Sequence, residues 1–372
     1  MKMFNALSRA GIAALALGAI LSGCAANEAP VVASDTPTAT DPATPPAPAI
    51  QGTLVGGGAS SQTAAQEAWR AGFQTTYSAV TVDYDPTGSG VGRTNFSEGG
   101  FAFVGTDDAY SVEEAAGNFA GCVPGSGLVE IPVYISPIAV AFNLPELATL
   151  NLDPSTLADI FAGRIKKWDD KAIAAANPGV KLPSTPVTAV HRSDKSGTTG
   201  NFTDYLAETA PAEWTWGSVE EWPKKLTGEA AEKTQGVREA ITAAAGAIGY
   251  LDASQASDLG TVSIKVGSEY VAPSAEGAAT AVANSSLEQG RAATDIVFDL
   301  DRKQGTGYPL LLVSYLGACV QYQDSNTATL VRSYLEHAVS TTGQQAAAQQ
   351  AGSAPLNTEL TSLVSDAISK IK

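Results

Sequence analysis

Histidine is nearly absent: among 372 residues there are two, His191 and His337. That is too few for a histidine-rich zinc site, and no His-Glu-x-x-His occurs. No Gly-Lys-Ser or Gly-Lys-Thr follows a glycine loop, so P-loop nucleotide binding is unsupported and no cofactor is expected. Basic residues are also scarce, 22 Lys and Arg against 38 Asp and Glu, for a net charge of −16. Nucleic acid phosphates need a basic face, so that class of partner is excluded. Beyond the N-terminus no aliphatic run is long enough to cross a membrane. Nor is there a repeat at solenoid periods.

What is present begins with an export signal. Lys2 and Arg9 precede a short apolar core at residues 10–21, too short for a lasting transmembrane helix. Leu21-Ser22-Gly23-Cys24 follows and resembles the lipobox of a bacterial lipoprotein. The resemblance implies cleavage before Cys24 and lipidation there, giving an extracytoplasmic protein anchored at the outer face of the cell membrane. Residues 24–50, rich in Pro, Ala and Thr, cannot bury enough surface to offset their ordering entropy and read as a tether. With Cys24 taken by lipid, Cys122 and Cys319 most simply form one disulfide in an exported protein. A hydrophobic content of 44% can build two cores.

Residues 187–206 organise the rest. Val187 and Ala189 alternate as a strand does, the polar turn Arg192-Ser193-Asp194-Lys195-Ser196-Gly197-Thr198-Thr199 follows, and Phe202, Tyr205 and Leu206 take helical spacing. Strand, small-residue turn and helix N-terminus make an anion site, because first-turn N–H groups lack partners and the helix dipole favours negative charge. Gly197 admits close approach, Ser196 and Thr198 add hydroxyls, and Arg192 supplies a planar fork that Asp194 can hold. Gly56-Gly57-Gly58-Ala59-Ser60-Ser61 before a helix with Ala65, Trp69, Phe73 and Tyr77, and Thr87-Gly88-Ser89-Gly90, repeat the pattern. Phe101-Ala102-Phe103-Val104 ends in Gly105-Thr106-Asp107-Asp108. Strands alternating with helices predict an α/β fold with ligand at the carboxyl ends of strands.

The pieces GGGASS, DPTGSGVGRTNF, FVGTDDAY, IPVYISPIAVAFNLP, LDPSTLADIFAGRIKKWDDKAIAAANPG, VHRSDKSGTTGNFTDYL, GAIGYLDAS and GYPLLL, in this order, resemble the phosphate-binding protein of bacterial phosphate ABC transporters. That resemblance implies a type II periplasmic-binding-protein fold, two lobes joined by two crossing segments near residues 134–139 and 249–256. The expected organisation is signal peptide 1–23, tether 24–50, lobe 1 in 51–138 and 256–372, and lobe 2 in 139–255. It also implies inorganic phosphate as ligand, delivery to membrane permease subunits, and no catalysis; a monomer is expected. The family's phosphate ligands fall on Ser60, Ser61, Ser89, Asp108, Arg192, Ser196, Gly197 and Thr198, with Asp194 bracing the arginine. Asp107 stands where the family has a small residue, so the acceptor is Asp107 or Asp108, with Asp108 expected. The family's Lys-Gly-Asn-Glu-Gly segment is here Glu232-Lys233-Thr234-Gln235-Gly236.

An acidic acceptor has a chemical reason. Phosphate near neutral pH keeps a proton that it can donate, whereas sulfate has none and would face a carboxylate as a like charge. The alternatives are binding of sulfate, molybdate or phosphonate, a surface receptor that has lost transport, or a phosphatase, which would need a base beside Ser89 or Ser196. Asp153-Pro154 predicts a helix start with Leu157, Ile160 and Phe161 buried. Leu330, Val331, Tyr334, Leu335 and Ala338 predict another helix, and Trp168, Trp214, Trp216 and Trp222 core or cleft wall.

Overall fold

The computed structural model describes residues 50–372. The signal peptide, Cys24 and nearly all of the tether lie outside the described residues. β1 (Gly52–Gly58) opens the fold, followed by α1 (Thr63–Thr76), which buries Ala65, Trp69 and Phe73 at four-residue spacing. β2 (Val80–Asp85) buries Val80, Val82 and Tyr84 and turns the residues between them outward. α2 (Ser89–Ser97) leads to β3 (Phe103–Thr106). The one-turn helix α3 (Val112–Ala115) starts from a reciprocal Ser111–Glu114 capping box. β4 (Leu128–Phe142) comes next, and all 15 of its residues are buried. Its sequence is a near-continuous apolar run, as a strand covered on both faces requires.

β5 (Thr149–Leu152), α4 (Pro154–Phe161) and α5 (Lys171–Ala176) follow, then β6 (Thr188–Arg192), α6 (Gly197–Thr209), β7 (Glu229–Ala231), α7 (Lys233–Ala243) and β8 (Ala247–Asp252). α4 begins with proline and buries Leu157, Ile160 and Phe161 as the sequence predicts. The chain continues through β9 (Gly260–Val266), β10 (Glu269–Val271), α8 (Ala275–Ala283) and the short pair β11 (Ser286–Leu287) and β12 (Phe298–Asp299). β13 (Leu311–Cys319) and three helices, α9 (Ser325–Val339), α10 (Thr341–Ala351) and α11 (Thr358–Ile368), complete it. The buried face of α9 carries Leu330, Val331, Tyr334, Leu335 and Ala338 and packs on α1 and β1.

Eleven strands join in one sheet whose main path is β2-β1-β3-β13-β4-β8-β6-β7. β4 is its spine. From Leu128 to Pro137 it pairs antiparallel with β13, and from Ile138 to Phe142 with β8. The change of partner falls at a proline, which has no N–H to give a ladder; the Ile138 N–H goes to the Leu310 carbonyl at 2.9 Å.

One boundary differs from expectation. β9 pairs with Ala141 and Phe142 of β4 and with all of β5, so residues 260–266 belong to the second half, not to lobe 1. The reason is their own pattern: Val262, Ile264 and Val266 are buried, and β4 and β5 supply the cover. The chain is back at the first half by residues 294–296, whose backbone pairs with Glu130 of β4, and stays there through β13. Cys122 and Cys319 form a disulfide with Cα atoms 5.3 Å apart, tying the segment before β4 to the end of β13.

Candidate functional site

The turns after β1, β3 and β6 and the start of α2 meet between the two halves. Gly197 at the head of α6 lies so close to the β3 turn that a Cβ there would sit 2.6 Å from the Asp108 nitrogen. Gly88, at φ 92°, lies against the opposite wall; a Cβ would stand 2.5 Å from Asp194 Oδ2. Only glycine permits both approaches.

Arg192 ends β6 and is 2% exposed. Its Nε and Nη2 donate to the two oxygens of Asp194 at 2.8 and 2.5 Å. Burial pushes the Asp194 carboxyl up, but the bond and charge of Arg192, with the Lys233 N–H at 3.0 Å, hold it below the usual range. Nη1 of Arg192 has no hydrogen-bond partner among the described residues. Ser196 caps α6 by accepting from the Thr199 N–H at 3.2 Å. Among the described residues, nothing accepts from the N–H groups of Ser61, Ser89, Gly197 or Thr198. Four unpartnered donors at three helix or turn starts, with a guanidinium beside them, suit a tetrahedral anion.

The acceptor among these donors is Asp107. Its Oδ1 accepts from Ser61 Oγ at 2.6 Å and Ser314 Oγ at 2.5 Å, and Oδ2 accepts from Thr198 Oγ1 at 2.8 Å. Its N–H donates to Ser89 Oγ at 3.2 Å, and its carbonyl accepts from Asn201 Nδ2 at 2.6 Å. Burial pushes this carboxyl up, against three hydroxyl donors and the charge of Arg192.

Asp108, the expected acceptor, is placed elsewhere. Its carbonyl takes Arg93 Nη1 at 2.6 Å, while its half-buried carboxyl lies by Gly200 near Glu220. Burial and the charge of Glu220 push it up to about 7. Of the two aspartates the sequence left open, Asp107 thus lies among the hydroxyl donors and Asp108 beside Glu220, because successive residues leaving β3 face opposite ways. Ser60 also turns from the donor cluster: its Oγ exchanges a 2.9 Å bond with Thr234 Oγ1 and accepts from the Thr234 N–H at 3.1 Å. Of the expected residues, Ser61, Ser89, Arg192, Asp194, Ser196, Gly197 and Thr198 come together.

Sequence reasoning missed Arg93, Glu220 and Ser314, and named Thr234 only as part of the segment that departs from the family's pattern. Arg93 Nη2 bonds Glu220 Oε2 at 2.5 Å across the two halves, and Lys195 Nζ stands 3.2 Å from the same oxygen. Arg93 follows Ser89 by four residues, one helical turn on the same face, and that spacing was a usable signal. Ser314, 207 residues from Asp107, left none.

His191 stacks on Trp222, with ring centres 4.9 Å apart, and His337 meets Phe73. Trp168 and Trp214 are core, while Trp216 and Trp222 pack partly buried against it.

Comparison with known proteins agrees with this architecture. A family model described as a PBP superfamily domain matches residues 43–342. The phosphate-binding protein PstS 3 of Mycobacterium leprae is 32% identical over 337 residues, covering 89% of this chain and 90% of that one. PstS2 of Mycobacterium bovis is 32% identical over 308 residues, with 80% and 82% covered. Among solved structures, a high affinity periplasmic phosphate-binding protein (PfluDING) bound with phosphate superposes with TM-score 0.68 at 22% identity, over 84% of this chain and 93% of that one. A putative phosphate ABC transporter substrate-binding protein with bound phosphate from Clostridium perfringens gives 0.59 at 17% identity, over 81% and 98%. The α/β architecture is thus that of the periplasmic phosphate-binding proteins, and the chain belongs to the PBP superfamily and, within it, to the PstS family.

Proposed function

We propose that this protein captures inorganic phosphate between its two lobes and delivers it to the permease subunits of a phosphate ABC transporter. The observation that carries the reading is Asp107. A carboxylate offers about four lone-pair positions, and three donors reach this one. It can take one more proton, and a phosphate ion brings one where sulfate brings none. The N–H groups of Ser61, Ser89, Gly197 and Thr198, the hydroxyl of Ser196 and Nη1 of Arg192 then serve the other phosphate oxygens. Local donors outweigh the distant acidic surface, which salt screens.

In this reading one lobe is built on residues 51–137 and 311–372 and the other on 138–266, while residues 294–298 pair back onto Leu128, Glu130 and Tyr315 of the first. The protein acts outside the cytoplasm as a monomer, held to the outer face of the cell membrane by lipid on Cys24. Binding proceeds without turnover, since each histidine is packed against an aromatic ring away from the cleft serines. Titration calorimetry with phosphate, arsenate and sulfate, beside a phosphate-ester hydrolysis assay, tests it. Phosphate and arsenate should bind in preference to sulfate, with no ester cleaved. Equal affinity for sulfate, or turnover, would sink the reading.

A further inference from the structure

A file of buried polar side chains runs through the first-lobe core and ends on Asp107. Tyr334 Oη on α9 donates to Gln66 Oε1 at 2.7 Å. Gln66 Nε2 donates to Gln62 Oε1 at 2.9 Å, and Gln62 Nε2 to Ser314 Oγ at 2.7 Å. Ser314 Oγ then donates to Asp107 Oδ1 at 2.5 Å. None of the five residues is more than 3% exposed.

The direction of the file follows from chemistry. Gln62 Nε2 also lies 3.0 Å from the Tyr315 carbonyl oxygen, which can only accept, so that end of the amide is its NH2 group. The carbonyl end of Gln62 therefore faces Gln66, which must donate. The carbonyl end of Gln66 in turn faces the Tyr334 hydroxyl, which must donate as well. Ser314 has one proton, and with Gln62 donating into its oxygen that proton goes to Asp107, its other acceptor being the Thr106 carbonyl at 3.3 Å. Every donor thus points the same way.

Two glutamines flanking the start of α1 are not what packing asks for. Burying four such groups costs desolvation that aliphatic side chains would avoid. The β13–β4 ladder shifts register between Ser314 and Tyr315, at the position where the file meets the site. Hydrogen bonds in series polarise one another, so the last donor, aimed at a carboxylate, is strengthened by those behind it.

We propose that Tyr334, Gln66, Gln62 and Ser314 form a one-way donor relay that positions the Asp107 carboxylate, keeps it an acceptor, and so sets the preference for a protonated oxyanion over a proton-free one. This inference rests on the reading of the cleft as a phosphate site. The four are positioning residues. The charged and titratable groups around Asp107 are Arg192 with Asp194 on the β6 turn, Tyr84 on β2, and Asp108 with Arg93, Glu220 and Lys195 behind it. Burial pushes the Asp107 carboxyl up, and the Ser314 bond is the largest influence against it, ahead of Ser61, Thr198 and Arg192. Without Ser314 the carboxyl protonates at higher pH, and a protonated Asp107 donates where it should accept.

The full chain is titrated with phosphate and with sulfate from pH 5 to 9, as wild type, Ser314→Ala, Ser314→Thr and Tyr334→Phe. In parallel, the Asp107 carboxyl is titrated by carbon NMR without ligand. Ser314→Ala should lower the phosphate-to-sulfate affinity ratio at pH 7 roughly tenfold or more, the worth of one hydrogen bond to a charge, and raise the Asp107 midpoint. Ser314→Thr keeps a hydroxyl and should restore both. Tyr334→Phe, three bonds away, should shift both the same way by less. A lower melting temperature in Ser314→Ala with ratio and midpoint unchanged would make the file mere packing. Should Ser314→Ala not fold, an unshifted midpoint in Tyr334→Phe would overturn the relay equally. A wild type indifferent to phosphate would defeat the cleft reading alone, since the ligand-free midpoints still decide the relay.

Discussion

Asp107 and Asp108 are adjacent in the chain, and their surroundings have little in common. Asp107 is held by neutral hydroxyls in a buried interior, and one of the donors, Ser314, is itself held by Gln62 behind it. Asp108 stands at the rim among Arg93, Glu220 and Lys195, charged groups from both halves. The difference separates two tasks. Discrimination between anions needs groups that do not move and do not change charge. Closing and opening a cleft needs groups that can exchange a partner for water, and the exposed Lys195 can do so at small cost, while the nearly buried Arg93–Glu220 pair holds the two halves together.

The largest test removes the cation that faces Asp107. Arg192→Ala should weaken phosphate binding by roughly 2–5 kcal/mol, the cost of truncating one partner of a buried charged contact. Sulfate binding should fall alongside, because the guanidinium serves any oxyanion. Calorimetry showing wild-type affinity would take Arg192 out of the site.

Next comes the contrast itself. Asp107→Asn should shift the phosphate-to-sulfate preference by roughly 1–3 kcal/mol, since it replaces an acceptor by a group that can donate. Asp108→Asn should leave that ratio alone. Paired titrations that show the reverse would return the acceptor to Asp108.

A third, smaller effect belongs to the rim. The Asp108 carboxyl is pushed up to about 7, first by burial and then by Glu220, against an ordinary value near 3.9. Between those two pH values the closed, folded protein holds more protons than the unfolded chain, so stability falls as pH rises from about 4 to 7 and is flat above. Asp108→Asn should make that slope shallower, with the raised carboxyls of Asp252, Glu130 and Asp107 keeping the remainder, which thermal melts across the interval would register. An unchanged slope would show that another group carries it.

The smallest effect concerns Lys233, which holds φ 64° while its N–H braces Asp194. A left-handed conformation costs a non-glycine residue on the order of 1 kcal/mol. Lys233→Gly should raise the melting temperature by a few degrees with phosphate affinity intact. A lower melting temperature would mean that the lysine side chain stabilises more than the backbone strain costs.

Local chemistry was legible in the sequence to the extent that it is local. Arg192 and Asp194 are two residues apart on one turn, and Ser196, Gly197 and Thr198 follow at the head of the same helix. Strand, turn and helix at residues 52–76 and 187–209 could be read from periodicity. The disulfide could be read from the cysteine count. The side on which a residue falls after a strand was not legible, because a shift of one reverses it; hence the choice that the sequence left between Asp107 and Asp108. Contacts such as Ser314–Asp107 and Arg93–Glu220 join distant stretches, and no spacing announces them. β9 was assigned to the wrong half because its apolar alternation demands cover without saying which strand provides it.

One consequence follows from β4 being unbroken across both lobes. What joins the two halves here is not a flexible loop but the middle of a fully buried strand, whose partner changes from β13 to β8 at a proline. A beam clamped along both halves and bent at one point moves as a lever. A slight flexing at Pro137 and Ile138 is magnified at the far ends, where Ser61 and Thr198 face each other across Asp107. The same stiffness lets a force applied at a lobe's outer surface reach the cleft without being absorbed on the way. In the proposed function, a permease that grips both lobes would prise phosphate loose mechanically, without touching it.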